Sequence, residues 1–248
     1  MPEPAEESRV AESRVPTDRT TLRRKKERGT YDRAALYAVL DEGLLCHAGF
    51  CVDGSTFVMP MTYVRIDDTL YLHGATANRM VRVLADGVEV CVTVTLLDAL
   101  VLARSAFHHS MNYRSAMLFG TARRVVDDDE KQRASIALLD HIVPGRSADV
   151  RGPSPEELRA VLMIGLPITE WSAKVRTGGP IDEPEDMGEP IWAGQIPVSI
   201  VPGAAVAEGD LPPGVEEPSY VRAYPVRGAR PGTGTSGTSP PGMTAPGG

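Results

Sequence analysis

The hydrophobic pattern changes period several times after Tyr31, and each change marks an element. Over Tyr31–Glu42 the apolar residues Ala34, Leu36, Ala38, Val39 and Leu40 supply one side of a helix, which Gly43 ends. Leu44–Val52 and Thr56–Arg65 are strand-like runs on either side of Asp53-Gly54, a dipeptide suited to a tight hairpin turn. Asp67-Asp68 turns the chain into a third strand, Thr69–His73. Helical spacing returns at Ala77–Ala85, with Met80, Val81 and Leu84 inward. Val88–Leu97, Leu100–Ala103, Tyr113–Val126 and Leu162–Val175 then read as strands. Between the last two, Asp127–Asp129 cap a helix reaching about His141, and Ser154 precedes a short helix opened by Pro155, Glu156 and Glu157. Consecutive antiparallel strands, about six of them, with a few peripheral helices predict a mainly β (α+β) barrel rather than a doubly wound sheet.

Composition bounds this domain. Residues 1–21 are polar and acidic, with a short ESRV echo at Glu7–Val10 and Glu12–Val15. From Val201 the chain turns Pro/Gly/Ser/Thr-rich and ends ARPGTGTSGTSPPGMTAPGG. Neither end buries enough apolar surface to offset chain entropy, so both are expected to be disordered, leaving 22–200 as the folded domain. Of the 248 residues 42% are apolar, enough for a sizeable core. The net charge of −7 argues against a nucleic-acid partner, and the basic run Arg23-Arg24-Lys25-Lys26 with Arg28 reads as a solvated, helix-flanking cluster. With no apolar run near the roughly 20 residues of a membrane span, and no signal-peptide stretch, no membrane partner and a cytoplasmic location are expected. Cys46, Cys51 and Cys91 lack zinc-type spacing and read as buried thiols, so no metal site is expected. There is no triad, Walker or HExxH signature, and no residue is assigned as catalytic.

Two stretches carry candidate chemistry. HGATANR, His73 to Arg79, predicts a strand, a small-residue loop and a helix start, an arrangement that turns backbone N–H groups towards an anion, with Thr76 and Arg79 at hand. SMNYRSAMLFG, Ser110 to Gly120, supplies Tyr113, Arg114 and Ser115. Alternation places Tyr113 and Ser115 on one face and Arg114 on the other, and the same alternation sends the adjacent His108 and His109 opposite ways. Together the two stretches look like halves of a site for a phosphorylated, partly polar cofactor.

In order and spacing, RRKKERGTYDRAALYAVLDEG, VMPMTYVRIDDTLYLHGA, VCVTVTLLDALVLARSAFHHSMNYRSAMLFG, AKVRTG and WAGQIPV resemble the FMN-binding split barrels of the pyridoxamine 5'-phosphate oxidase type, and within them the branch with nitroimidazole-resistance proteins. The resemblance runs from about Leu22 to Val198. It implies a six-stranded antiparallel split β-barrel, and a homodimer with two FMN molecules at the subunit interface. It also implies transfer of electrons or hydride from NAD(P)H to a small organic acceptor, nitro compounds among the candidates. Met59, Pro60 and Met61 would lie on the strand beside the flavin ring, and Pro60 cannot donate to a ladder. Arg79 would meet the phosphate, His73 the flavin or a core partner, Tyr113, Arg114 and Ser115 the flavin's neighbourhood, and Trp192 the cofactor or the partner subunit. Where the family usually has arginine followed by lysine, this chain has Arg79-Met80, one positive charge fewer. Authentic pyridoxamine-phosphate oxidation is disfavoured, because WAGQIPVSIVPG lacks that enzyme's basic C-terminal segment. Two alternatives stay open: a non-catalytic flavin or haem carrier or sensor, with His73, His108 or His109 as axial ligand, and a deazaflavin in place of FMN.

Overall fold

A computed structural model of the chain describes residues 16–227. After a two-residue strand β1 (Gly29–Thr30), α1 (Arg33–Glu42) starts where the Asp32 carboxylate accepts hydrogen bonds from the Ala34 and Ala35 N–H groups. β2 (Leu45–Val52) and β3 (Ser55–Ile66) follow as a hairpin. Both turn residues, Asp53 (φ 50°) and Gly54 (φ 76°), are left-handed, the backbone that matches a tight two-residue turn to strand twist. β4 (Thr69–Ala75), α2 (Arg79–Ala85), β5 (Glu89–Leu102), β6 (Ser110–Thr121), β7 (Arg123–Arg124) and α3 (Asp128–Ile142) come next. A capping box between Ser154 and Glu157 opens α4 (Pro155–Ala160), which leads into β8 (Val161–Pro167) and β9 (Glu170–Arg176). β10 (Gly194–Pro197) and α5 (Ser219–Arg222) complete the described elements.

All pairings are antiparallel, in the order β1-β9-β6-β5-β2-β3-β4-β8-β7, with β10 added beside β5. β8 and β9 sit near opposite ends of this order yet are separated only by Ile168 and Thr169. Chain continuity thus brings the two ends together, and the sheet curls into a split barrel. The main core fills it: Leu36, Val39 and Leu40 of α1 pack with Cys46, Tyr63, Leu72, Val92, Leu118 and Trp171, and Val81 and Leu84 of α2 join them. A smaller cluster, including Tyr71, Met163, Ala134 and Leu138, holds α3 against the other side of β4 and β8.

The expected split antiparallel barrel is present, and where six strands were expected the described sheet has ten, seven of them with at least seven residues. Val88–Ala103 is not two strands but one, because an extra residue, Asp98, is absorbed as a bulge between Leu97 and Ala99 while pairing with β6 continues. Conversely, Leu162–Val175 is two strands. Buried Ile168 donates its N–H to Asp68 O at 2.8 Å and breaks the ladder there.

The folded part also extends past the expected limits of 22 and 200. Thr20 is buried, Thr17 hydrogen-bonds Glu170, and Arg19 pairs with Glu89 and Glu170 while lying over Phe119. Past Val201, Arg227 bridges back to Ile200 and donates to Glu42 O (2.8 Å) and His141 O (3.0 Å), and Tyr224 donates to Ile142 O. These acceptors are orphaned carbonyls at the C-terminal ends of α1 and α3, where a cation also opposes the helix dipoles. The remainder of the two segments expected to be disordered, 1–15 and 228–248, lies outside the described residues.

Candidate functional site

Strand register defines the barrel's outer face. On β6 the even-numbered Asn112, Ala116 and Leu118 are buried in the barrel, so Tyr113, Ser115, Met117 and Phe119 face out. Cross-strand rows run His47–Thr93–Met117–Ser172 and Gly49–Cys91–Phe119–Glu170, with Pro60 opposite His47 and Val58 opposite Gly49. The bulge at Asp98 resets the parity of β5, so Leu97 and Leu100 both point outward, Leu100 between Met111 and Ile196. The result is a broad apolar face left open by this chain, including Leu45 (56% exposed), Val58 (63%) and Met117 (41%).

Tyr113 pairs with Arg176 and Ser115 with Lys174, so one end of this face carries two hydroxyls and two cations side by side. Lys174 and Arg176 were not singled out from the sequence, though the spacing in AKVRTG puts both on one strand face. Arg28, just before β1, joins them through the Gly29–Lys174 pairing. Arg176 is buried. It donates to Asn112 Oδ1, Gly178 O (3.2 Å) and Gly179 O (3.1 Å), and it has no carboxylate partner among the described residues. Burial and the neighbouring Arg28 push its pKa below the usual arginine value.

Arg114 takes the other face, as alternation requires, and its donors are committed. Glu42 at the end of α1 and Asp98 in the bulge grip it from two sides, with Nη2 2.8 Å from each, and they raise its pKa. This clamp withholds its charge from a cofactor on the Tyr113 side.

At α2 part of the backbone is already committed. Asn78 caps the helix, its Oδ1 accepting from Met80 N (2.9 Å) and Val81 N (3.3 Å). Thr76 donates its N–H to Ala160 O and Asn78 donates its own to Ala75 O. Few backbone donors remain for an anion. Arg79 and Arg82, by contrast, are exposed and make no ion pair among the described residues. Gly74 lets α2 approach β4: a Cβ there would meet Val81 Cγ2 at 2.6 Å.

Met59 and Met61 point into the barrel, Met61 buried and Met59 packed against the core, whereas Pro60 is exposed on the outer face. Trp192 is 66% exposed and lies against Gly194, where a Cβ would come within 2.7 Å of its ring. His73 shares the α3 side of β4 with Tyr71. Its Nδ1 is buried without a hydrogen-bond partner, and burial lowers its pKa, so the ring is held neutral. His108 turns to Glu183 (3.5 Å) and His109 to Ser105 O (2.9 Å), so the two do not converge. The structure therefore joins Pro60, Tyr113 and Ser115 on one face. Thr76 lies in the β4–α2 loop and Arg79 opens α2, and three strands separate β4 from β6.

Among the described residues, no group of three or more His, Cys, Asp or Glu is placed to hold a metal ion, and no helix is long and apolar enough to cross a membrane. A groove of about 490 Å³ between α3 and residues 147–157, lined by Ile136, Leu139, Val150 and Arg151 among others, contains none of the candidate residues.

Residues 32–175 match the family model of pyridoxamine 5'-phosphate oxidase. Among solved structures, the chain is 36% identical to the flavocytochrome Anf3 from Azotobacter vinelandii (TM-score 0.78), over 84% of this chain and 97% of that one. It is also 36% identical to the FAD and heme binding protein from Mycobacterium smegmatis (TM-score 0.78), over 82% and 100%. A candidate 5-nitroimidazole antibiotic resistance protein from Bacteroides thetaiotaomicron is 25% identical (TM-score 0.51), over 59% and 86%. No curated protein matches the sequence.

Proposed function

The chain belongs to the pyridoxamine 5'-phosphate oxidase family, and from that premise we propose that it is a flavin-dependent oxidoreductase, working as a homodimer that holds a flavin nucleotide between its two copies. The observation that carries this reading is the outer sheet face. It offers exposed Met117 beside the hydroxyls of Tyr113 and Ser115 on β6, with Pro60 and Val58 on the same face beyond two intervening strands, whereas Arg79 and Arg82, which make no ion pair among the described residues, lie on a different part of the same chain. A planar ring with a phosphorylated tail needs both features. A second copy apposed on the open face supplies them together and also covers exposed Leu45, Val58 and Met117. FMN is the simplest cofactor for such a site, and FAD, the flavin of the 36% identical M. smegmatis protein, is the other candidate.

A bound flavin supplies one- and two-electron chemistry, here between NAD(P)H and a small organic acceptor. The chain's own part is to bind, orient and exclude water. Arg79 and Arg82 neutralise phosphate through charge-assisted contacts. The Tyr113 and Ser115 hydroxyls offer hydrogen bonds along the polar edge, and the aliphatic face keeps water from the reacting surface.

A second reading adds haem, which both 36% identical structures are named for, one as a flavocytochrome. It is favoured by His73, the one histidine with a buried ring nitrogen left without a partner in the described structure. Its ring is held neutral, the form that ligates iron. Visible absorption of the purified protein tests both. A two-banded flavin spectrum that bleaches with NAD(P)H supports the flavoenzyme, and an added Soret band lost in His73→Ala supports the haem site. Absence of any retained chromophore together with no affinity for added FMN or FAD refutes both.

A further inference from the structure

Arg176 is 5% exposed, yet among the described residues only neutral acceptors meet it: Asn112 Oδ1 and the carbonyls of Gly178 and Gly179. A buried guanidinium ordinarily has a carboxylate partner, because its desolvation is otherwise uncompensated. More positive charge lies beside it instead. Lys174 is two residues back on the same face of β9, and β1 pairs with Lys174 through Gly29, which sets Arg28 alongside. Arg28 is close enough to lower the pKa of Arg176. Arg23, Arg24, Lys25 and Lys26 continue the run in exposed positions, and no described carboxylate pairs with any of these side chains.

Nor is the basic segment a loose arm. Leu22 packs so closely over Gly29 that a Cβ there would lie 2.2 Å from Leu22 Cδ1, Tyr31 Oη bonds the Thr20 carbonyl (2.9 Å), and Lys25 takes a left-handed turn (φ 55°) into a short helix. Arg28 and Lys174 set beside a buried guanidinium, in a chain whose net charge is −7, amount to a prepared anion site rather than a general surface excess. Tyr113 and Ser115, directly across the ladder from Arg176 and Lys174, add hydroxyl donors.

We infer that Arg28, Lys174 and Arg176 bind the diphosphate group of a nucleotide at the β1–β9–β6 edge, separately from the phosphate contact assigned to Arg79. The diphosphate belongs either to FAD or to the NAD(P)H donor, and that choice rests on the flavin reading above. The anion site itself does not.

The probe is inorganic pyrophosphate, titrated by calorimetry into the full-length protein at low ionic strength, which requires no flavin. Binding that weakens about tenfold or more in Arg28→Gln/Lys174→Gln, and is unchanged in the exposed control Arg159→Gln, supports the site. Arg28 and Lys174 are only half-buried, so the test survives if Arg176→Gln fails to fold. Competition by FAD but not FMN, with FAD affinity lost in the double variant, assigns the diphosphate to the flavin. An NAD(P)H dissociation constant raised about tenfold with flavin retention unchanged assigns it to the donor. Pyrophosphate that does not bind, or binds wild type and the double variant alike, overturns the inference whether or not the protein carries a flavin.

Discussion

Replacing Arg114 with methionine keeps the side-chain stem and removes the charge, leaving Glu42 and Asp98 facing each other. The arginine side chain is 13% exposed, Asp98 6% and Glu42 29%, so this network lies between a buried pair and a surface one. Breaking a fully buried pair costs roughly 3–5 kcal/mol, because a charge is stranded, and the partial exposure of Glu42 places this case at the lower end, about 3 kcal/mol. For a chain of this size each kcal/mol moves the melting temperature by roughly 2–4 °C, so the variant is expected to melt about 6–12 °C lower at neutral pH. The sign with pH follows from the stranded acids. The pKa of Arg114 is raised by its partners, so in wild type the guanidinium stays charged across the whole working range and the contact is constant. In the variant, one of the two facing carboxylates takes up a proton as pH falls, the repulsion ends and much of the deficit disappears. Thermal melts by circular dichroism at about pH 7.5 and pH 5, on R114M and R114M/D98N, measure each step. A loss below about 1 kcal/mol, the range of an ordinary surface pair, or a deficit that neither acid nor Asp98→Asn relieves, refutes the clamp as described.

Arg79→Ala is expected to weaken flavin nucleotide binding about tenfold to a hundredfold, the loss of a charge-assisted contact, with no change in melting temperature of the flavin-free protein; equilibrium fluorescence titration reads it. His73 and His141 both have pKa values lowered by burial, so the fold favours their neutral forms. Their contribution is complete above the ordinary histidine range near 6.5 and is lost as pH falls through their depressed values, so wild type is expected to lose stability on acidification below about pH 6.5 and His73→Phe to lose less. The Cys46 thiol is buried in the core with its pKa pushed up to about 12, so a disulfide reagent is expected to modify exposed Cys51 first and to reach Cys46 only after unfolding, as counted by mass spectrometry. Met117→Glu places a charge in the middle of the open outer face and is expected to convert a dimer to a monomer in light scattering while leaving the melt of the monomer cooperative.

Local features were legible from the sequence and distant ones were not. Asp53-Gly54, Gly43 and the Ser154–Glu157 box act over a few residues, and each lies where the pattern places it. Asp98 reads as a break between two strands because the ladder that carries β5 through it lies on β6. Ile168 looks like one more apolar strand residue until Asp68, far away in sequence, takes its N–H. At the site, alternation correctly separated Arg114 from Tyr113 and Ser115, but the acids that hold Arg114 come from α1 and the bulge, and no local pattern reveals them. The cap on α2 was readable: Asn78 before Arg79 is a helix-start residue, and its carbonyl takes the N–H groups that a phosphate would otherwise use. Lys174 and Arg176 were visible as alternating cations, but only pairing with β6 sets them beside the two hydroxyls.

The bulge in β5 also marks where this strand could lose a codon without changing its register. Deleting a residue elsewhere in a paired strand turns every later side chain inside out, so such events are purged. Asp98 is the one surplus position in this strand: without it Leu97 still pairs with Tyr113 and Ala99 with Asn112, and the alternation becomes regular. Losing Asp98 would therefore leave the ladder intact and leave Arg114 held by Glu42 alone, so the strand tolerates the deletion while the clamp does not.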